Sequence, residues 1–284
     1  MKQDTLSALR KQFYTLRLLY LLCLVLAVAA LAVYFVDRRA TLAVLGVNLL
    51  FYLLAARPRA KAYQRTCIES SVLLTLSRYL EQAGYASPAL DPAQVCDVRL
   101  VPEDRPVVQK EGGRGLWRGS AVIVSEVVLG NSYYLDAQRK ASEYLTGIWV
   151  RVELGRDTGL DCRLIGKDLI DPRSRAAYFV RHPDLHDPGQ ERPQWLAEGW
   201  EVLAGRSDEL PRGQVLNELK KLAEYTPTPM AMAVTGDVLS VFLSRRLLWR
   251  KVSVRQAPSE AWLNFDLLPE LGYILELANR LIRE

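Results

Sequence analysis

Two long apolar runs near the start of the chain constrain its fold more than any other feature. Residues 18–36 read LLYLLCLVLAVAALAVYFV, nineteen residues without a charged side chain. After a charged link at residues 37–39, a second run of seventeen uncharged residues spans 40–56. A run of about 20 such residues crosses a hydrocarbon core of about 30 Å as a helix. The two runs therefore predict a transmembrane helical hairpin.

Basic residues concentrate around these runs and predict their orientation. Residues 1–65 carry ten Lys or Arg against two acids, whereas residues 66–284 carry 27 basic and 30 acidic residues. Four basic residues precede the first run, four follow the second within nine positions, and two lie in the link. The positive-inside rule places both termini in the cytoplasm and the link outside. The length of the first run and the second run directly after it favour an uncleaved anchor over a cleaved signal peptide.

The rest of the chain is mildly acidic, which argues against a nucleic-acid-binding protein, because such domains concentrate positive charge on themselves. Its three cysteines, Cys67, Cys96 and Cys162, lie far apart and form no CxxC pair. We therefore expect reduced thiols rather than a disulfide framework or a zinc site, and we expect no metal and no cofactor.

Beyond the hairpin, the pattern predicts α+β architecture with a mainly antiparallel sheet and packed helices. We expect three segments: the transmembrane hairpin at 1–57, a juxtamembrane amphipathic helix and loop at 58–92, and a single cytoplasmic α+β domain at 93–284. Helical spacing predicts that the amphipathic helix ends at Gly84. Two further helices are expected, one capped at Ser207 or Asp208 and the last capped at Asp266. Strands are predicted at 98–101, 120–129, 147–154, 162–165, 177–180, 195–204, 230–235, 238–243 and around 251–255, with loops at 102–115 and 181–193.

Several of these segments carry a family resemblance. They are 123–128 (IVSEVV), 144–154 (YLTGIWVRVEL), 200–219 (WEVLAGRSDELPRGQVLNEL), and the predicted hairpin and final helix. In these segments and in the order of its elements, the chain resembles a bacterial family catalogued as domain of unknown function 3137. The resemblance implies two N-terminal spans, a cytoplasmic α+β body and no assigned activity. It also implies an inner-membrane, envelope-associated complex, with a LemA-type protein as one partner.

Motifs with catalytic or metal-binding chemistry are few. His182 and His186 have the i, i+4 spacing of a metal pair, but Pro183 and Pro188 make a helix improbable, so we expect a surface loop. The glycines of 159–168 are too widely spaced for a phosphate loop, and an acid stands where Ser or Thr would hold magnesium. Glu126 lies in a β-branched run; an outward-facing acid is expected, with a buried acid as the alternative.

Three functional hypotheses remain. The first is a membrane-anchored, non-enzymatic protein whose cytoplasmic domain binds a protein partner or assembles with other copies. The second is a sensor of a small molecule, for instance a nucleotide, with an aromatic pocket and convergent arginines. The candidate arginines are Arg114, Arg118, Arg173 and Arg175. The third is a membrane-face enzyme, which requires polar groups to converge in one cleft. Those groups are Glu126, Asp161, Asp168, His182 and His186.

Overall fold

A computed structural model describes most of the chain. The described residues are 2–100, 107–135, 141–169, 185–187, 189, 192–205, 211, 213–245 and 257–283. The chain divides into two compact units. Met1–Leu74 and Leu248–Phe265 form the first, and Thr75–Leu247 and Asp266–Glu284 form the second.

The first unit is helical and contains both apolar runs. Helix α1 spans Lys2–Tyr34 and packs against α2, Arg38–Phe51. A single π-helical turn, Tyr52–Ala56, continues α2 directly into α3, Arg57–Leu76. Asp37 begins the second helical stretch, because its side chain accepts a hydrogen bond from the backbone N–H of Arg39 at 2.8 Å.

The first half of α1 is amphipathic and packs on α3. Its buried side chains, spaced three and four residues apart, are Leu6, Leu9, Phe13 and Leu16. Phe13 lies beside Tyr63 of α3, with 6.3 Å between the ring centroids. Trp262, from a short helix α7 at Glu260–Asn264, packs against the same clusters. Residues 2–17 therefore follow the one-sided pattern of a helix in water.

The second unit is built on an antiparallel sheet, of which the structure describes eight strands. Their spatial order is β1-β2-β3-β4-β8-β7-β5-β6. The strands are β1 Glu81–Ala86, β2 Val107–Trp117, β3 Ser120–Leu135, β4 Ala141–Glu153, β5 Asp161–Gly166, β6 Trp200–Ala204, β7 Met230–Thr235 and β8 Val238–Leu243. Gly236 joins β7 to β8 in a tight turn, where its φ of +59° suits glycine.

Four helices accompany the sheet in the described part of this unit. They are α4 Pro92–Cys96, α5 Gln194–Gly199, α6 Gly213–Tyr225 and α8 Glu270–Arg283. Asp91 and Gln94 form a capping box at the start of α4. Helix α8 lies against β4, and α6 lies against α8. The broad apolar stripe predicted for the last helix is confirmed, since Leu271, Ile274, Leu275 and their neighbours are buried.

Both sheet faces are covered in the central strands. The cross-strand neighbours Ile165, Ala231, Phe242 and Trp149 share one face and pack in one cluster with Val95 of α4. We call this the α4 face. The side chains that alternate with these on β3, β4, β5, β7 and β8 are buried too. The strand predicted at 147–154 therefore buries Trp149 as well as the expected face.

Mixed α+β structure with an antiparallel sheet is confirmed, but several local predictions are wrong. The helix predicted to end at Gly84 ends at Leu76, and β1 follows at Glu81–Ala86. Residues 92–96, expected in a loop, form α4, and the chain turns after it where a strand was predicted from residue 98. Within the loop predicted at 102–115, residues from Val107 onward belong to β2.

Two further local predictions are corrected near the C-terminal half. Residues 194–199, assigned to a strand, form α5, and only Trp200–Ala204 is extended. Asp266 is expected to cap the last helix. Its Oδ1 instead accepts a hydrogen bond from the backbone N–H of Leu268, which precedes the first residue of α8. The expectations at 177–180, Ser207, Asp208 and 251–255 lie outside the described residues.

Candidate functional site

The arginines predicted to bind a ligand do not meet in the described structure. Arg114 is exposed on β2, opposite Ile123 of β3. Arg118 lies in the turn after β2, where it donates to Asn279 Oδ1 at 2.8 Å and covers the ring of Trp117 at 4.7 Å. These contacts give Arg118 a structural role. The other two candidates, Arg173 and Arg175, lie outside the described residues.

Glu126 is buried, contrary to the expectation that it faces outward. Only 6% of the residue is exposed, and it points to the same side of β3 as Val124. Lys110 of β2 places its Nζ 3.9 Å from Glu126 Oε1, so the buried carboxylate has a cation beside it. A partnered carboxylate explains how an acid is tolerated among valines.

The groups that an enzyme at the membrane face would need do not converge in the described structure. Asp161 begins β5 on the α4 face, whereas Glu126 lies on the opposite face of β3. Asp168 is exposed in a 3₁₀ turn beyond the other end of β5. His186 is exposed and pairs with Ala204 of β6 through two backbone hydrogen bonds. His182 lies outside the described residues, and no group of three or more potential metal ligands was found in the described ranges.

A polar cavity of about 500 Å³ lies instead at one end of β5 and β7. Its volume falls within the roughly 300–1,000 Å³ of small-molecule sites. Charged side chains dominate its lining, and no aromatic side chain belongs to it among the described residues. The lining residues are Asp97, Arg99, Asp157, Gly159, Leu160, Asp161, Arg163, Gly205, Thr235 and Gly236.

Arg163 forms the most buried charged part of this cavity. The residue is 3% exposed, and its Nε donates to the backbone carbonyl of Val98 at 3.1 Å. Its Nη1 donates to Asp161 on the same strand and the same face. A guanidinium carries five N–H donors. Two of them are thus bonded, and the described residues supply no further acceptor.

Tight turns bring the other lining residues to the cavity. Asp157 Oδ1 accepts from the backbone N–H of Gly159 at 2.8 Å, and the backbone N–H of Gly236 donates to Leu160 at 2.9 Å. A Cβ atom on Gly205 would lie 2.4 Å from Asp161 Oδ2. This position therefore requires glycine for the Asp161 carboxylate to keep its place beside Arg163.

Polar atoms without partners continue from the cavity along the α4 face. Strand register places Arg163, Ala233, Ser240 and Arg151 side by side on β5, β7, β8 and β4. Ser240 Oγ and Arg151 Nε are buried and have no hydrogen-bond partner among the described residues, and the same holds for Thr235 Oγ1 at the cavity. Buried polar atoms are usually hydrogen-bonded, so these three atoms extend the polar character of the cavity into the sheet.

The second notable surface is apolar and belongs to the helices of the first unit. From residue 18 onward, α1 exposes many large apolar side chains, with Leu18, Leu21, Leu24, Val25, Val28 and Leu31 each 55–66% exposed. One stripe that includes Cys23, Leu26 and Ala30 is less exposed, and α1 packs against α2. On the second helical stretch, Leu42, Val47, Leu49, Leu50 and Leu54 are 57–73% exposed. Among the described residues, two helices are long and apolar enough to cross a membrane, Gln3–Tyr34 and Arg38–Leu76.

The two buried thiols, Cys67 and Cys162, offer little reactivity at neutral pH. Burial raises the pKa of Cys162 to about 12 and that of Cys67 to about 11. A thiol is nucleophilic as the thiolate, so both are inert near pH 7.

Sequence reasoning missed the cavity for an identifiable reason. Asp161 and Arg163 lie in 159–168, whose glycine spacing does not fit a phosphate loop. A strand is predicted at 162–165 and Asp161 is a candidate group of an enzyme, but no role is predicted for Arg163. A charged pair at i, i+2 inside the apolar segment DCRLI was the available signal, since it puts both side chains on one face of a strand.

Comparisons of the chain with protein-family models, with curated proteins and with solved structures find no match. The class of protein is therefore defined by its own features: an α+β domain on an antiparallel sheet, together with two helices of membrane-spanning length.

Proposed function

We propose that this chain is an integral membrane protein whose helical hairpin anchors an α+β domain at the cytoplasmic face of a bacterial inner membrane. In this proposal residues 18–36 and 40–56 lie in the bilayer and the link at 37–39 lies outside. The α+β domain binds a protein partner or a second copy of the chain, without catalysis of its own. An envelope-associated complex with a LemA-type protein, as the family resemblance implies, is the form we expect.

One observation carries the anchoring proposal: the change of pattern along α1. In residues 2–17 one stripe of apolar side chains is buried and most of the remaining side chains are polar. In residues 18–36 apolar side chains cover every side, and most of them are exposed. Exposing such a surface to water costs a free energy of about 25 cal/mol for each Å² of apolar area. A lipid environment removes this cost, and the run is long enough to cross a bilayer.

The charges on either side support the orientation. Arg57, Arg59, Lys61 and Arg65 directly follow the second run. Basic residues are retained on the cytoplasmic side during insertion. The turn Tyr52–Ala56 is a π-helix at the end of the second run, and its irregular hydrogen bonding coincides with the proposed exit from the bilayer.

The orientation is tested by labelling single introduced cysteines in intact cells with a membrane-impermeant maleimide. We expect Arg38→Cys, in the link, to be labelled in intact cells. We expect Lys61→Cys to be labelled only after permeabilisation, and the wild-type chain measures the background from native cysteines. The reverse pattern would invert the proposed topology, and labelling of both sites in intact cells would exclude a spanning hairpin.

Partner binding is tested by purifying a tagged full chain from detergent-solubilised membranes and measuring the mass of the particle by native mass spectrometry. We expect a stoichiometric second protein or a homo-oligomer, each absent from an untagged control. A single chain in its detergent belt, found repeatedly after crosslinking in the membrane, would contradict the proposal.

The cavity around Arg163 favours a second candidate function, a small-molecule sensor coupled to the membrane hairpin. Its size and its buried guanidinium support ligand binding. The absence of aromatic side chains from its described lining does not favour a nucleotide base, which usually stacks on such rings.

A further inference from the structure

We propose that the cavity binds a small zwitterion of the α-amino-acid type, with its carboxylate toward Arg163 and its ammonium group toward Asp97 and Asp157. This inference deepens the second candidate function by naming the class of ligand. It does not depend on the membrane topology, so binding can fail or succeed independently of the anchoring proposal.

At the floor of the cavity, the Arg163 guanidinium has N–H donors that a ligand could satisfy with a hydrogen-bond acceptor. Arg163 is 3% exposed and has Val98 O and Asp161 Oδ1 as its acceptors among the described residues. The remaining N–H groups of a planar guanidinium are arranged to bind a carboxylate through two parallel hydrogen bonds. Asp161 already occupies one edge of Arg163, so a ligand carboxylate would use the donors that Asp161 leaves.

At the rim of the cavity, two carboxylates favour a positively charged group of the ligand. Asp97 and Asp157 line it and are exposed, whereas Arg163 is buried. Asp157 uses Oδ1 for the Gly159 N–H, which leaves its second oxygen for a ligand. The carboxylates of Asp97 and Asp157 are therefore at the mouth, and the buried guanidinium of Arg163 is at the floor, where Asp161 is its partner. A zwitterion that enters with its carboxylate first would meet this order of charges.

The charges of the described lining favour a zwitterion over a ligand with one kind of charge. Among the described residues, three carboxylates and two guanidiniums line the cavity. A purely anionic ligand would face the excess of carboxylates, and a purely cationic one would face Arg163 without an acceptor to offer. A divalent cation is not favoured either, since no metal-ligand cluster was found in the described ranges. Leu160 is the one large apolar side chain among the described lining residues, so a small and polar ligand fits this lining best.

Isothermal titration calorimetry on the full chain in detergent micelles tests the proposal, with the standard L-amino acids added one at a time. We expect at least one to bind with one-to-one stoichiometry. Its methyl ester and its N-acetyl derivative, each lacking one charge, should bind at least about tenfold more weakly, because a charge-assisted hydrogen bond is stronger than a neutral one.

The double variant Asp97→Asn/Asp157→Asn tests whether the ligand binds in the cavity. It keeps the Oδ1 acceptor at position 157 and should lose affinity at least about tenfold, with unchanged thermal unfolding. The matched control is Glu198→Gln/Glu224→Gln, which neutralises two exposed carboxylates on α5 and α6 and should bind as the wild type does. Binding by no amino acid, equal binding of the ester or the N-acetyl derivative, or unchanged affinity of the rim variant would each overturn the proposal.

Discussion

Replacing Leu24 and Val28 with arginine should remove the first helix from a bilayer. Both side chains lie within three residues of the centre of 18–36, and they are 60% and 59% exposed on α1. They contact little protein, so the substitutions test the surroundings of the helix rather than its packing. In water, exposed substitutions of this kind usually change stability by less than about 0.5 kcal/mol.

The expected magnitude follows from the composition of the run. Residues 18–36 contain twelve Leu, Val and Phe side chains. At roughly 0.3–0.6 kcal/mol each, these favour insertion by about 4–7 kcal/mol. Each arginine near the centre of a span opposes insertion by about 2.5–3.5 kcal/mol, so two of them oppose it by about 5–7 kcal/mol. The double variant therefore cancels the favourable free energy of membrane insertion of this helix.

Carbonate extraction of isolated membranes measures the outcome, as the fraction of the chain that stays in the membrane pellet. We expect this fraction to fall sharply for Leu24→Arg/Val28→Arg. The matched control is Ala8→Arg/Gln12→Arg, a pair with the same spacing at exposed positions of α1 outside the apolar run. We expect the control to remain in the pellet. A pelleting fraction that is unchanged in the Leu24/Val28 variant would refute the placement of this helix in lipid.

Three further outcomes are expected of the full chain in detergent. Phe13→Ala should lower the free energy of unfolding by about 3–5 kcal/mol, because Phe13 is 2% exposed, whereas Tyr14→Ala, 58% exposed, should have little effect in the same thermal-unfolding assay. Burial and the hydrogen bond to the Asp266 carboxylate raise the pKa of Tyr79 in the folded chain. The neutral phenol therefore contributes fully to stability below the usual tyrosine pKa of about 10, and this contribution is lost as the pH rises through the pKa of the folded chain. Tyr79→Phe should remove that alkaline loss in denaturation curves measured against pH, and an unchanged curve would contradict the assignment. Because Cys162 is buried with its pKa raised to about 12, maleimide at neutral pH should spare it and modify the more exposed Cys96, as read by mass spectrometry; labelling of Cys162 in the folded chain would be inconsistent with its burial.

Sequence patterns predicted the parts of the fold in which periodicity and burial agree. The β7–β8 hairpin combines two apolar runs with glycine at a turn, and the last helix has an unbroken apolar stripe. Strand β2 was missed because GGRG resembles a loop. The structure shows why glycine is needed there: a Cβ on Gly112 would lie 2.4 Å from the Val124 carbonyl oxygen, where β2 and β3 shift register. A close approach between strands leaves no periodic signal in a single sequence.

The sequence carries a local signal for the pair Asp161 and Arg163, but not for the cavity that they line. Asp97, Asp157 and Arg163 come from three segments that meet only because the sheet places β5 beside β7 and next to the turns that flank it. The predicted ligand-binding arginines lie outside the predicted strands, whereas Arg163 lies within β5, is 3% exposed, and donates to Val98 and Asp161. Burial of a charge depends on tertiary partners, which local patterns do not contain.

The two halves of α1 respond to different surroundings, and this separates the effects of mutations along one continuous helix. Residues 2–17, which extend about 24 Å at 1.5 Å per residue, bury their stripe against α3 and α7. Substitutions there change side-chain packing and therefore the free energy of unfolding. In residues 18–36 most large side chains face away from the protein, so substitutions there change the free energy of transfer into lipid. A variant of the first half should thus remain in the membrane while unfolding more easily, and a variant of the second half should leave the membrane before its packing is affected.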